Sequence, residues 1–154
     1  MIVRPAVKSD KNAVMMILDE FRSDCGEQIS GKLVESHTAR DSGSLVYESL
    51  LKRKDYIVLL LIDQESKVVG IITGYLCPML RNGGVRAEVE EFFVQKECRG
   101  ADNAKKLMDA FFDWSKENRA QKVNLESENQ LARAHSFYKK YGFETKAQRF
   151  IIKL

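Results

Sequence analysis

The apolar positions of the 154-residue chain switch between strand and helix spacing, and the switches mark out the elements. Ile2 to Val7 reads as a short strand, and Pro5 places it at an edge. Ser9-Asp10 supplies an N-cap. Val14, Ile17, Leu18 and Phe21 then recur at helical spacing, which predicts an amphipathic helix over residues 10–23. Residues 24–43 are polar and broken by Gly26, Gly31 and Gly43, so they read as loop and irregular helix. Leu45–Lys52 reads as a second short helix. Tyr56-Ile-Val-Leu-Leu-Leu-Ile62 is a continuous apolar run, consistent with a buried strand. Asp63–Lys67 is a five-residue turn, and Val68–Cys77 completes a hairpin. Pro78 is expected to end that strand. Arg81-Asn-Gly-Gly84 is a further turn, and Ala87–Val94 is a third central strand.

The second half alternates. Ala104, Leu107, Met108 and Phe111 share one face of a helix over about residues 103–118. Val123–Glu126 is a short strand and Asn129–Tyr141 another helix, stopped by Gly142. Phe143–Leu154 is expected to hold the last strand or strands. The order β-α-α-β-β-β-α-β-α-β predicts an α/β (α+β) fold, one mixed sheet packed by helices. The length suits one domain spanning 1–154.

Composition narrows the class. Hydrophobic residues make up 44% and charged residues 31%, the balance of a chain that buries a core rather than staying disordered. The absence of an apolar run near ~18 residues speaks against a membrane span. The first residues lack an apolar stretch of the kind found in secretory signals. A net charge of +3 with interleaved signs is too mild for a dedicated nucleic-acid binder. Cys25, Cys77 and Cys98 are odd in number and form no CxxC pair, which argues against a disulfide framework or a metal site. The reducing cytoplasm is the expected compartment.

Candidate chemistry concentrates in the run Phe92–Leu107, where a buried strand enters a short loop and then a long helix. A helix N-terminus presents free N–H groups and partial positive charge, an arrangement suited to a diphosphate. Arg99, Lys105 and Lys106 add charge there, although solvated basic residues in an ordinary connection explain them equally. Three acids in four residues, Glu88, Glu90 and Glu91, are unusual on a buried strand. Strict alternation puts Glu88 and Glu90 on one face and Glu91 on the other, unless a bulge intervenes.

The segment Asn129-Gln-Leu-Ala-Arg-Ala-His-Ser-Phe-Tyr-Lys-Lys-Tyr-Gly-Phe143 resembles the C-terminal signature of the GNAT superfamily of acyl-CoA-dependent N-acetyltransferases. Asn129, Ala132, Phe137, Tyr138, Gly142 and Phe143 carry the likeness, with one extra residue between Ala132 and Phe137. Phe92-Phe-Val94 followed by Arg99-Gly100 resembles the same family's pyrophosphate motif, Q/R-x-x-G-x-G/A. The likeness covers about residues 56–152 and implies a mostly antiparallel central sheet flanked by helices. It also implies acetyl-CoA as acyl donor, a small-molecule or peptide amine as acceptor, and no metal. A homodimer would be compatible with the family.

By that resemblance, Phe92, Phe93, Val94, Arg99, Gly100, Ala101, Asp102, Asn103, Ala104 and Asn129 would bind the donor, Tyr138 would serve the leaving thiolate, and Glu91 would act as base. The departure is Asp102, which stands where the motif has its central Gly. A carboxylate ~4 Å from a phosphate charge would cost up to ~4 kcal/mol at an effective dielectric near ~20. Asp tolerates the left-handed conformation, and its side chain could turn to cap the helix, so weakened rather than abolished CoA binding is expected. A GNAT-fold binding module that has lost turnover is the alternative. His37, His135, Cys98 and Trp114 read as surface or packing residues.

Overall fold

The computed structural model describes residues 1–32, 38–100 and 102–154. Among the described residues five strands form one sheet in the order β1 (Ile2–Pro5), β2 (Tyr56–Ile62), β3 (Val68–Met79), β4 (Gly84–Val94), β5 (Ala120–Leu125). Neighbours from β1 to β4 pair antiparallel, and β4 pairs parallel with β5 through the crossover helix α3 (Asn103–Glu117). Helices α1 (Lys11–Ser30) and α2 (Ser44–Leu51) cover one face. α3 and α4 (Ala132–Tyr141) cover the other. This is the mixed, mostly antiparallel architecture expected from the sequence.

Each face has its own core. Val14, Met15, Ile17 and Tyr47 pack on Val58, Leu60, Ile71 and Phe93. Leu107, Met108 and Phe111 pack on Leu59, Leu61, Ile72, Ala87 and Val89. The apolar run of β2 is therefore shared between two cores, which is why it shows no alternation. Full burial of each such side chain contributes about 1.5–3 kcal/mol.

Several boundaries differ from the sequence reading. α1 runs to Ser30, straight through Gly26, and stops at Gly31 with φ +69°. An interior glycine costs only about 1 kcal/mol, and the buried Asp24 anchors this half of the helix to distant residues. The carboxylate of Asp10 does not cap α1; it accepts the Val7 N–H at 2.8 Å and pairs with Arg4 at 2.7 and 2.8 Å. β3 continues through Pro78 to Met79 because β2 pairing ends at Tyr56↔Tyr75, leaving that stretch an edge where a missing N–H is tolerated. β4 begins at Gly84, and α4 begins at Ala132 rather than Asn129.

The expected last strand does not form. Beyond Phe143 the chain is irregular, with Phe150, Ile151, Ile152 and Leu154 exposed. Between Glu144 and Arg149 only Thr145 is β-branched, so this stretch has little strand propensity of its own. Arg149 pairs with Glu126. His37 and Glu35 of the polar region, and Ala101, lie outside the described residues.

One irregularity in β4 sets up the site. Ile72 pairs with Phe92 and Gly74 with Val89, so Thr73 faces two residues, Glu90 and Glu91. Upstream of this bulge Ala87 and Val89 enter the α3–α4 core; downstream Phe92 and Val94 do, while Phe93 enters the other. The strand has thus exchanged its faces. Gly74 permits the close approach: a Cβ there would lie 2.2 Å from the Glu88 carbonyl oxygen and 2.6 Å from Phe111 Cε2. Gly74→Ala is expected to cost about 2–3 kcal/mol by overpacking, read as a lower urea midpoint at unchanged slope.

Candidate active site

β4 and β5 stay paired only as far as Val89↔Leu125. Glu90–Val94 then continue along β3 without β5, so the backbone groups of β4 that point away from β3 have no strand partner there. The bulge decides which side chains flank this segment.

Glu91 is the central one. The bulge turns it to the α1–α2 face, the same face as Glu88, which corrects the strict alternation expected from sequence. Its N–H donates to Thr73 Oγ1 at 3.2 Å, while its carboxyl Oε2 is buried and has no hydrogen-bond partner. Burial, reinforced by the neighbouring Glu90 charge, raises the Glu91 pKa to about 7. Glu88 is engaged by Arg86 and by Asn124 Nδ2 at 3.4 Å, and Glu90 is exposed. Of the three acids, only Glu91, itself half-buried, has a carboxyl oxygen, Oε2, that is buried and without a hydrogen-bond partner. Tyr56 and Tyr75, cross-strand partners with rings stacked 6.5 Å apart, stand on the same face. Burial first, then the Glu91 charge, pushes the Tyr56 hydroxyl up to about 12.

Tyr138 lies on the opposite face. Its ring packs against Phe92 at 6.3 Å and against Phe137 and Phe143, both at 5.8 Å. Burial, with a smaller effect from Cys25 on α1, raises its hydroxyl to about 12. It therefore keeps its proton at any physiological pH. Glu91 and Tyr138 thus sit on the two sides of the β4 segment that has lost its β5 partner.

The loop between β4 and α3 differs from expectation in its side chains. Gly100 has φ +123° and Asp102 has φ +61°, so Asp102 occupies the left-handed conformation that glycine would take. Its side chain makes no cap hydrogen bond to α3, contrary to the capping role considered for it. The Lys106 N–H donates to the Asp102 carbonyl at 2.8 Å and the Asn103 N–H to the Gly100 carbonyl at 2.9 Å, and the Ala104 and Lys105 amides belong to the same first turn of the helix. The buried Asn103 donates through Nδ2 to the Cys98 carbonyl at 3.0 Å and fixes the turn. Arg99 does not project into this turn. Its Nε donates to the Val94 carbonyl at 2.7 Å and its Nη2 to Asp24 at 2.7 Å, with the guanidinium 5.4 Å from the Phe93 ring centre. Lys105 pairs with Asp109 at 2.7 Å. Asn129 lies exposed in the turn before α4.

Sequence reasoning missed Thr73, Tyr56 and Ser127. The Ser127 hydroxyl, just past the end of β5, is buried with no partner. Nothing in the sequence distinguishes it, because its burial comes from tertiary packing. An open hollow of about 500 Å³ lined by Lys11, Ser44, Leu45, Glu48, Ser49 and Lys52 lies on the α1–α2 flank and shares no residue with this group. Among the described residues no His, Cys, Asp or Glu grouping could hold a metal ion, and no helix is long and apolar enough to cross a membrane.

The Acetyltransferase (GNAT) family model matches residues 16–143. The chain belongs to the GNAT acetyltransferase family. Solved structures agree on the fold. A mutant protein of Bacillus halodurans superposes with a TM-score of 0.83 at 16% identity, covering 100% of this chain and 99% of the other. A ribosomal-protein-alanine N-acetyltransferase of Brucella melitensis gives 0.76 at 18% identity, covering 100% of both chains. An acetyltransferase of Trypanosoma brucei gives 0.77 at 20% identity, covering 99% of both. No curated protein sequence matches at a significant level.

The Glu91 pKa is raised on folding, so folding favours its protonated form. The stability this contributes is fully present below about 4.5 and is lost as pH rises to about 7. Glu91→Gln removes that loss. The variant is expected to exceed the wild type above pH 7, by about 3 kcal/mol, with the gap closing toward pH 4.5. Urea midpoints across this pH range provide the check.

Proposed function

We propose that this chain transfers an acetyl group from acetyl-CoA to a primary amine by direct attack in a ternary complex, acting as one domain. The family supports the acetyl transfer, and the buried, unpartnered Oε2 of Glu91, on the β4 segment that has no β5 partner, carries the reading toward an amine. An alkylammonium has a pKa near ~10.4 and is no nucleophile until it loses a proton. Glu91, with a pKa of about 7, is matched to accept that proton near neutrality.

The residues present fit acetyl-CoA. The β4 edge at Phe92, Phe93 and Val94 offers main-chain groups to an extended arm, and the α3 N-terminus offers the Ala104 and Lys105 amides to a diphosphate. Gly100 and Asp102 both carry positive φ, which supports reading this turn as the donor loop. When bound, acetyl-CoA supplies the thioester acetyl group. The chain's own part is to orient it along β4, hold a proton at Tyr138 Oη for the departing sulfur, and take one at Glu91 from the amine. A phenol at about 12 does not surrender its proton outright; it hydrogen-bonds the thiolate as charge develops. All three cysteines are free thiols, which supports a reducing, cytoplasmic setting.

Release of CoA thiol against a panel of amines tests the reading. We expect kcat/KM to rise with pH through an inflection near 7, and Glu91→Gln to abolish the inflection and lower kcat about 10²-fold or more. Tyr138→Phe should lower kcat about tenfold while leaving acetyl-CoA affinity unchanged.

A second reading rests on Asp102, whose carboxylate stands at the diphosphate turn without a capping bond. It is a CoA-weakened binding module. Asp102→Gly separates the two: calorimetry showing a gain in acetyl-CoA affinity of about 10²-fold supports the module, and a change under threefold supports a tuned enzyme.

A further inference from the structure

Arg99 opens the loop motif and would ordinarily be taken as a phosphate-binding side chain. Its surroundings point elsewhere. The side chain is 16% exposed and the facing Asp24 side chain 6% exposed, and the two meet at 2.7 Å. The guanidinium also holds the Val94 carbonyl and lies against the Phe93 ring. Its hydrogen-bonding edge is thus turned to α1 and to the end of β4. Asp24 is itself held by Gln28 Nε2 at 2.7 Å and approached by Lys96 Nζ at 3.2 Å. A second tie, Gln95 Nε2 to Glu20 at 2.7 Å, joins the same helix to the same junction.

We propose that Asp24 and Arg99 are a positioning pair for the donor turn. The Asp24 carboxylate holds the Arg99 guanidinium away from the diphosphate, and the pinned Arg99 backbone sets the turn that presents the α3 amides. The phosphate contacts are then made by main-chain groups, and the charge of Arg99 is spent within the protein. α1, which walls the Glu91 face, is fastened to the donor turn by the same pair. This inference rests on acetyl-CoA binding at that turn.

Calorimetric titration of CoA into the wild type, Asp24→Asn, Arg99→Gln and the double variant tests it. Each single change is expected to weaken CoA about tenfold, and the double variant should be no weaker than either single one, because both disrupt one unit. Glu27→Gln, which loses only an exposed pair with Lys96, should bind like the wild type. In turnover, Asp24→Asn should raise KM for acetyl-CoA without moving the inflection near 7 set by Glu91. If Arg99 instead grips phosphate, Asp24→Asn frees it and CoA binds more tightly, or the two losses multiply; either result overturns the inference while leaving the transferase reading intact. Failure of the wild type to bind CoA overturns both. Should the single variants melt early, the amide resonances of Gly100 and Asn103 in ligand-free protein give a second readout: unshifted resonances in Asp24→Asn overturn the pair's role.

Discussion

The arrangement depends on one extra residue in β4. Thr73 faces both Glu90 and Glu91, and from that point the strand shows its opposite side to each core. Without the bulge Glu91 would point into the α3–α4 core among Ala87, Val89 and Phe111, where an ionisable group would have no business and no route to solvent. With it, Phe92 fills that core against Phe137 and Tyr138, and the carboxylate turns to the tyrosine-lined face. β4 keeps its β3 pairing past the bulge but loses β5, so the carboxylate and the unpaired strand edge arise at the same place.

The turn between β4 and α3 is built on backbone conformation more than on charge. Two positive φ values, at Gly100 and Asp102, bend the chain into α3. Asn103 and Arg99 then fix the bend through bonds to the Cys98 and Val94 carbonyls. Asp102 takes the left-handed φ that glycine adopts readily. The cost is electrostatic: the Asp102 side chain is left without a cap bond to the helix it precedes.

Much of this was legible in the sequence. The uninterrupted apolar run of β2, the hairpin to β3 and the helical stripe of α3 show in the residue spacing alone, because local period and burial agree there. The Asn129–Phe143 and Arg99–Ala104 segments carry the family resemblance in their residue identities alone. What escaped is tertiary in origin. Gly26 looked like a helix breaker, yet the distant Arg99 helps hold that half of α1 in place. The direction of Glu91 depended on a register shift that no local pattern encodes. Arg99 carries the expected motif identity, but its partner lies 75 residues upstream. The C-terminal residues have strand-forming side chains at Phe150–Ile152 and no strand partner in the structure.

The central claim is that the unpaired edge of β4 and the start of α3 together receive the acyl donor. Mapping backbone amide shifts while CoA is added to labelled protein addresses it most directly. The account predicts that the perturbed amides cluster at Glu90–Val94 and Gly100–Lys106. Perturbations confined to the Lys11–Lys52 hollow, or none at all at millimolar CoA, would contradict it.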